Sequence, residues 1–208
     1  MARRTVVCGL AAILVLAGCT SAPEEERAPV IAPGRPGEPA STIPPERISP
    51  VPATPPNDAD LRYVRNMILH HHQAVEMARL VPDRATNDTV KRLADRIADV
   101  QQPEIDMMNA WLRTHDQPTV DPHHQEHSEH LDMPGMATPA QLDALRAATG
   151  PAFDTMFLEL MIAHHAGALT MASEIQTKGA EVRVQEMADD VIATQSDELN
   201  QMRALLGH

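Results

Sequence analysis

Two adjacent histidines occur twice in this chain, at His70-His71 and again at His164-His165. Each pair stands one residue after a Met-Ile dipeptide, and the two copies are 94 residues apart. Imidazole is the commonest metal-binding side chain in proteins and also a strong hydrogen-bonding group. The doubled spacing therefore predicts either a metal site or a buried hydrogen-bond network that draws on both copies.

The same offset continues well beyond the histidines. Gln101 and Glu104 recur as Gln195 and Glu198, and matching alanines, methionines and leucines accompany them. Such self-similarity marks an internal duplication, in which similar units bury their apolar faces against each other. The chain is therefore predicted to contain two similar halves that place polar residues at equivalent positions.

Apolar residues in both halves recur at helical spacing, with capping residues and prolines at the boundaries. Helices are expected at about 58–80, 87–115, 138–149, 152–177 and 180–206, with a kink in the second at Pro103. No sheet is expected in this part, because no segment alternates with period two. The predicted fold class is all-α: an antiparallel, ferritin-like four-helix bundle of two duplicated hairpins, plus one short helix in the connection. Repeat 1 covers 57–115, the linker 116–137, the short helix 138–149 and repeat 2 151–208.

Helical phase decides which polar side chains face the interior of this bundle. Both histidines of each pair fall on apolar columns, whereas His72 falls on the polar face. A buried His–Glu network would satisfy these groups, and so would a metal ion. The candidate metal ligands in the bundle are His70, His71, His164, His165, Glu104, Glu198, Met67, Met77, Met161 and Met171.

The linker between the halves is a second candidate chelator. Within 14 residues it contains His123, His124, His127, His130, Met133 and Met136. This segment is too polar to build a core, so its composition requires another explanation. Imidazole and thioether without thiolate form a ligand set suited to copper, as Cu(I) or Cu(II). Zinc or nickel bound through histidine alone is the alternative.

The N-terminus has the pattern of a secretion signal at residues 1–18. Two arginines precede a short apolar run, and Leu16-Ala17-Gly18-Cys19 resembles a bacterial lipobox, which implies lipidation at Cys19 and anchoring to the cell membrane outside the cytoplasm. Cys8 would leave with the signal, so no thiol would remain for a disulfide or a thiolate site. Residues 19–56 contain 11 of the 18 prolines and are predicted to be a disordered tether.

The charge balance excludes one class of partner. The chain carries 17 Lys and Arg against 29 Asp and Glu, a formal net charge of −12. Nucleic-acid binding needs clustered basic residues, so no nucleic-acid partner is expected. An acidic protein is instead suited to cations, and a metal ion is the predicted partner.

The doubled motif, with Gln101-x-x-Glu104 and Gln195-x-x-Glu198 downstream, resembles the family numbered domain of unknown function 305. The resemblance covers about residues 57–208 and implies a ferritin-like fold. Similar proteins include a periplasmic copper-binding protein, which implies copper binding outside the cytoplasm. One departure is Gln73, where the second copy has Gly167; the larger side chain predicts that the two histidine pairs are not equivalent.

Three functions follow from these observations. The favoured one is a membrane-tethered copper-binding protein that buffers the ion, gives the cell tolerance to it, or transfers it. An envelope bundle that binds a partner, with its histidines in a structural network, is the alternative. A ferritin-like oxidoreductase is disfavoured, because di-metal sites of that kind use Glu-x-x-His patterns and more carboxylates. A binding role is therefore favoured over an enzymatic one, which the sequence leaves open.

Overall fold

The computed structural model describes residues 30–33, 35–37, 39–44, 47, 54–121 and 133–207. Four long helices form the domain: α1 (Asp58–Ala78), α3 (Asp88–Thr114), α5 (Gly150–Lys178) and α6 (Val182–Leu206). Two short helices, α2 (Val81–Arg84) and α4 (Pro139–Ala147), lie in the connections. Helix α1 packs on α3, α5 packs on α6, and α1 packs on α5. The predicted four-helix bundle of two hairpins is confirmed.

Capping residues set the helix boundaries where the sequence indicated them. The Asn57 side chain accepts from the backbone N–H groups of Ala59 and Asp60, and Asp60 accepts in return from Asn57 N at 2.8 Å. Thr138 and Gln141 form a second capping box at α4. Helix α5 begins at Gly150, two residues earlier than expected, because Pro151 fits the first turn of a helix. Pro103 lies inside α3 without ending it.

The core consists of two apolar clusters stacked along the bundle. One cluster joins the first half of α1 and the second half of α5 to the second half of α3 and the first half of α6. The other joins the opposite halves of the same helices and includes Phe153 and Phe157. This pairing of opposite halves shows that α1 runs antiparallel to α3 and to α5. The middle of each long helix therefore lies between the two clusters.

Two buried aspartates at equivalent repeat positions link the halves. The Asp60 carboxylate accepts hydrogen bonds from Ala180 N and Glu181 N, at the start of α6. The Asp154 carboxylate accepts from Thr86 N, Thr86 Oγ1 and Asn87 N, at the start of α3. Each hairpin thus caps the turn of the other. The sequence analysis did not assign this role, although both residues obey the 94-residue offset.

Replacing Asp154 with alanine should reduce the free energy of unfolding by about 2–3 kcal/mol, because three donors lose a charged acceptor. Urea denaturation of the variant and the wild type measures the difference. Asp88→Ala is the matched control: Asp88 is exposed beside the same turn and lies 3.8 Å from Lys91, so its loss should cost under about 0.5 kcal/mol. Equal effects of the two substitutions would contradict the role of Asp154 in capping the turn before α3.

A separate strand pair lies in the proline-rich segment. Strands β1 (Val30–Ala32) and β2 (Ser41–Ile43) pair antiparallel, with Val30 opposite Ile43. The sequence analysis treated this stretch as part of a disordered tether and predicted no strand in it. The strands are three residues each, too short for an alternating pattern to show.

None of the helices described above combines the length and the apolar character that a membrane-spanning helix requires.

Candidate functional site

A layer of polar side chains crosses the bundle between the two apolar clusters. All four paired histidines are in it, and each has an exposed fraction of 0%. The glutamines and glutamates of the neighbouring helices complete the layer. We call this set the histidine layer: His70, His71, Gln101, Glu104, His164, His165, Gln195 and Glu198. The predicted inward orientation of both histidine pairs is therefore what the structure shows.

The second histidine of each pair bonds to a glutamate in its own hairpin. His71 Nε2 lies 2.8 Å from Glu104 Oε2, and His165 Nε2 lies 2.8 Å from Glu198 Oε2. An ionised carboxylate can only accept, so Nε2 carries the hydrogen in both rings. The other ring nitrogen, Nδ1, has no hydrogen-bond partner among the described residues in either histidine. A ligating histidine commonly donates its other N–H to a carboxylate in this manner.

The first histidine of each pair meets its counterpart across the α1–α5 contact. The ring centroids of His70 and His164 are 3.7 Å apart, with the planes tilted by 37°. His70 Nε2 donates to the Pro134 carbonyl at 3.0 Å, which leaves Nδ1 unpartnered within the described chain. Neither ring nitrogen of His164 has a described hydrogen-bond partner. The structure therefore brings histidines from both repeats into contact.

Burial keeps these two rings neutral. It lowers the pKa of His70 to about 3, assisted by the nearby His71 and His165 and opposed by the hydrogen bond to Pro134. It also lowers the pKa of His164 well below the ordinary value; the neighbouring histidines add to this, and a weak contact with the His70 backbone opposes it. A neutral imidazole keeps a lone pair that can bind a metal ion. Both rings are thus in the protonation state that ligation requires.

Other polar atoms of the layer also lack partners among the described residues. Both side-chain amide atoms of Gln101 and of Gln195 are buried without a hydrogen bond, as is the hydroxyl of Tyr63 nearby in the core. An unmade buried hydrogen bond costs about 1–3 kcal/mol, so native proteins rarely tolerate several in one place. This concentration of unpartnered donors and acceptors is typical of a binding site for a polar or metallic ligand.

A five-residue segment, Met133–Ala137, covers one side of the histidine layer; we call it the strap. Gln73 holds it by two hydrogen bonds, from Nε2 to Ala137 O at 2.9 Å and from Ala137 N to Oε1 at 2.7 Å. On α5 it passes so close that a Cβ on Gly167 would lie 1.9 Å from Pro134 O. The difference between Gln73 and Gly167, from which the inequivalence of the two histidine pairs was predicted, has a physical basis: the Gln73 side chain binds the strap, and position 167 has no room for a side chain.

Gly167→Ala should displace the strap and destabilise the protein by about 2–3 kcal/mol. A loss of stability would be informative, because replacing glycine with alanine inside a helix otherwise stabilises a protein by about 1 kcal/mol. Thermal unfolding gives the stability, and hydrogen exchange at Ala137 N reports release of the strap. Ala166→Ser, on the exposed face one residue earlier, is the control and should change little. A more stable Gly167→Ala protein would refute the close approach.

The candidate methionines are divided between the two clusters. Met67 and Met171 lie in one, Met77 and Met161 lie in the other, and all four are buried. Met133 was expected in a polar segment unable to contribute to a core, but it is only 8% exposed and belongs to the first cluster. Met136 packs against the same cluster. The expectation that this segment contributes nothing to a core was wrong for its last residues, because the strap holds Met133 and Met136 against the helices.

The remaining predicted ligands are outside the described residues. They are His123, His124, His127 and His130; Cys19, the predicted lipidation site, is also outside the described residues. His72, expected on the polar face, is half-buried beside a surface cavity of about 450 Å³ that also borders Asp106, Asn109 and Arg113.

Among the described residues, no three His, Cys, Asp or Glu side chains are grouped as a ready metal site. An ion in the histidine layer would therefore need methionine sulfur, the glutamine amides or a shift of side chains.

An antiparallel helical bundle with a buried layer of paired histidines is the class of protein that these observations define. Residues 60–206 match the family described as Domain of unknown function (DUF305). The chain belongs to this family, as its doubled motif indicated.

Solved structures of the family share the fold. A DUF305 protein from Streptomyces coelicolor, named as secreted, is 34% identical over 72% of this chain and 91% of its own, with a TM-score of 0.64. A DUF305 fragment from Deinococcus radiodurans is 32% identical over 76% and 99%, with a TM-score of 0.66. CopM in its Cu(II)-bound form is 31% identical over 70% and 94%, with a TM-score of 0.59. CopM was also solved in a Cu(I)-bound form, at 30% identity and a TM-score of 0.58.

One curated protein is also similar over a short stretch. It is Uncharacterized protein L153 of Acanthamoeba polyphaga mimivirus, 36% identical over 53 residues. The match covers 26% of this chain and 35% of that protein, so it spans about a third of the relative's length.

Proposed function

We propose that this protein binds copper outside the cytoplasm, to buffer the ion or pass it on, and that the histidine layer is its deep binding site. One observation carries the proposal: five ring nitrogens of four fully buried histidines have no hydrogen-bond partner in the described chain. Buried polar nitrogens without a partner are unfavourable in an apolar interior unless a ligand uses them. Histidine nitrogen with methionine sulfur nearby is a donor set that suits copper better than hard cations.

The relatives support the choice of metal. CopM has been solved with Cu(II), Cu(I) and silver, each at 30–31% identity to this chain. Zinc and nickel remain the alternatives if histidine alone supplies the ligands. The linker residues His123, His124, His127 and His130, outside the described part, would capture ions before they reach the bundle. Lipid attached at Cys19 would keep the protein at the membrane surface.

A structural role is the second candidate, because two of the four histidines already have strong partners. The His71–Glu104 and His165–Glu198 pairs each satisfy one ring nitrogen at 2.8 Å without any ion. In that case the layer would fix the register of the helices in a bundle that binds an envelope partner. If the layer has only this structural role, adding a metal should leave the free energy of unfolding unchanged.

His164→Leu separates the two candidates. The ring of His164 makes no hydrogen bond to a described residue, so a leucine of similar volume should preserve or increase the stability of the metal-free protein. At a copper concentration 100 times the dissociation constant, the wild type should gain about 2.7 kcal/mol, and the variant should lose that gain. Thermal unfolding of the tag-free mature protein, with and without Cu(I) or Cu(II), measures both quantities. A wild type unmoved by copper, zinc and nickel would refute the proposal.

A further inference from the structure

The two halves of the histidine layer differ in charge although their sequences repeat. Glu198 has a guanidinium nearby, with Arg96 Nε 3.9 Å from Glu198 Oε1. Arg96 lies in the first repeat, and the equivalent residue of the second repeat is the acidic Asp190, so the repeat does not supply Glu104 with a matching cation. In the described part of the chain, the only ion-pair partner of Glu104 is His71. The negative charge of Glu104 is thus not compensated by a permanent cation.

The halves also differ in their access to solvent. The Glu104 side chain is 19% exposed, whereas that of Glu198 is 4% exposed. Glu104 Oε2 accepts from His71, and Glu104 Oε1 has no hydrogen bond to a described residue. The corresponding Oε1 of Glu198 faces Arg96. The first half therefore has a partly exposed carboxylate without a neighbouring cation, whereas the carboxylate of the second half is buried beside Arg96.

A third difference concerns the aromatic residue one turn before the motif. It is Tyr63 in the first repeat and Phe157 in the second. The Tyr63 hydroxyl is buried and has no described hydrogen-bond partner. Burial raises the pKa of this phenol, and the charge of Glu104 raises it further, so Glu104 lies close enough to act on it. The first half therefore has one more oxygen donor than the second.

From these differences we propose that the bundle first takes a cupric ion between Glu104 and His71, where the ion replaces the Nε2 hydrogen of His71 and that hydrogen moves to Nδ1 or leaves to solvent. The His165–Glu198 pair, with Arg96 beside it, is then a structural pair closed to cations. The inference rests on the proposed copper function and assigns it to one half of the layer. Carboxylate oxygen with imidazole nitrogen favours Cu(II), whereas Cu(I) and Ag(I) favour the thioethers. Glu104 is the residue that sets this preference.

The experiment compares two conservative substitutions in one parent protein. The parent is the tag-free mature chain with His123, His124, His127 and His130 replaced by alanine, so that linker binding does not mask the bundle. Glu104→Gln and Glu198→Gln each retain an amide oxygen that accepts from histidine but remove the negative charge. Circular dichroism verifies that each variant is folded. Competition titration gives the Cu(II) affinity, and electron paramagnetic resonance reports the nitrogen and oxygen ligands.

We expect Glu104→Gln to weaken Cu(II) binding by tenfold or more and to alter the resonance spectrum, whereas Glu198→Gln changes the affinity by less than about threefold. Binding of Ag(I), the probe for Cu(I), should change little in either variant. Arg96→Asp, which gives the second half the charge of the first, should add a second Cu(II) equivalent. Equal losses in the two glutamine variants, or a larger loss at Glu198, would overturn the inference while leaving copper binding intact. A parent that binds neither Cu(II) nor Ag(I) would instead overturn the deep-site proposal.

Discussion

Acidification from pH 7 to pH 5 is expected to destabilise the metal-free protein by about 4 kcal/mol. The pKa of His70 is lowered to about 3 and that of His164 is also well below its ordinary value. The unfolded chain therefore takes up protons on these two residues as the pH falls below about 6.5, whereas the folded chain does not. The contribution of these two neutral rings to the free energy of unfolding is fully present above that pH. As the pH falls toward the pKa in the folded protein, each histidine loses up to about 1.4 kcal/mol of that contribution per pH unit.

Urea denaturation at pH 7, 6 and 5 measures this loss. The window avoids the ordinary titration range of aspartate and glutamate, which lies near pH 4. His164→Leu removes one of the two groups, so its stability should decline only about half as steeply. A wild-type stability that is flat between pH 7 and pH 5 would show that the rings take up protons in the folded state. Saturating copper should oppose the effect, because ligation and protonation compete for the same lone pairs.

The position of the histidines was predictable because two independent patterns agree on it. Helical phase places His70 and His71 on apolar columns, and the 94-residue offset repeats this arrangement at His164 and His165. Helical phase is a local property of the chain, and the repeat follows from comparing the sequence with itself, so neither pattern requires the tertiary structure. The same argument placed Glu104 and Glu198 on the inner faces of the neighbouring helices.

The partner of each histidine was not predictable from the sequence. His71 and His165 bond to glutamate, whereas His70 and His164 contact each other. This choice depends on helix rotation and axial register, which tertiary packing determines and which boundary errors of a few residues obscure. The sequence therefore predicted the members of the layer but not the hydrogen bonds within it.

The strap was missed for a different reason. Its residues are few, with no periodicity, and its place depends on contacts distant in sequence, such as those of Gln73 and Gly167. One signal was available: the repeats differ at this position, and a glycine inside a helix often permits close backbone approach. The burial of Met133 follows from this arrangement, because the strap directs that side chain into the first cluster.

Glu198→Ala is expected to reduce the free energy of unfolding by about 2–3 kcal/mol, the cost of leaving a buried donor without its carboxylate acceptor. The His165 N–H would lose its acceptor at a position with 0% exposure, and Arg96 would lose a neighbouring carboxylate. Glu104→Ala removes the equivalent partner of His71, but Glu104 is 19% exposed, so water can replace the lost oxygen. Its cost should therefore be lower, about 1–2 kcal/mol.

Chemical denaturation of the two alanine variants at pH 7, without metal, compares these costs directly. The difference between them matters more than either value, because the two substitutions delete the same atoms at equivalent positions of a repeat. A larger loss at Glu198 would mean that the second pair stabilises the bundle while the first remains free for a ligand. Equal losses would mean that both pairs are structural, and the charge difference between Arg96 and Asp190 would then have no consequence for stability.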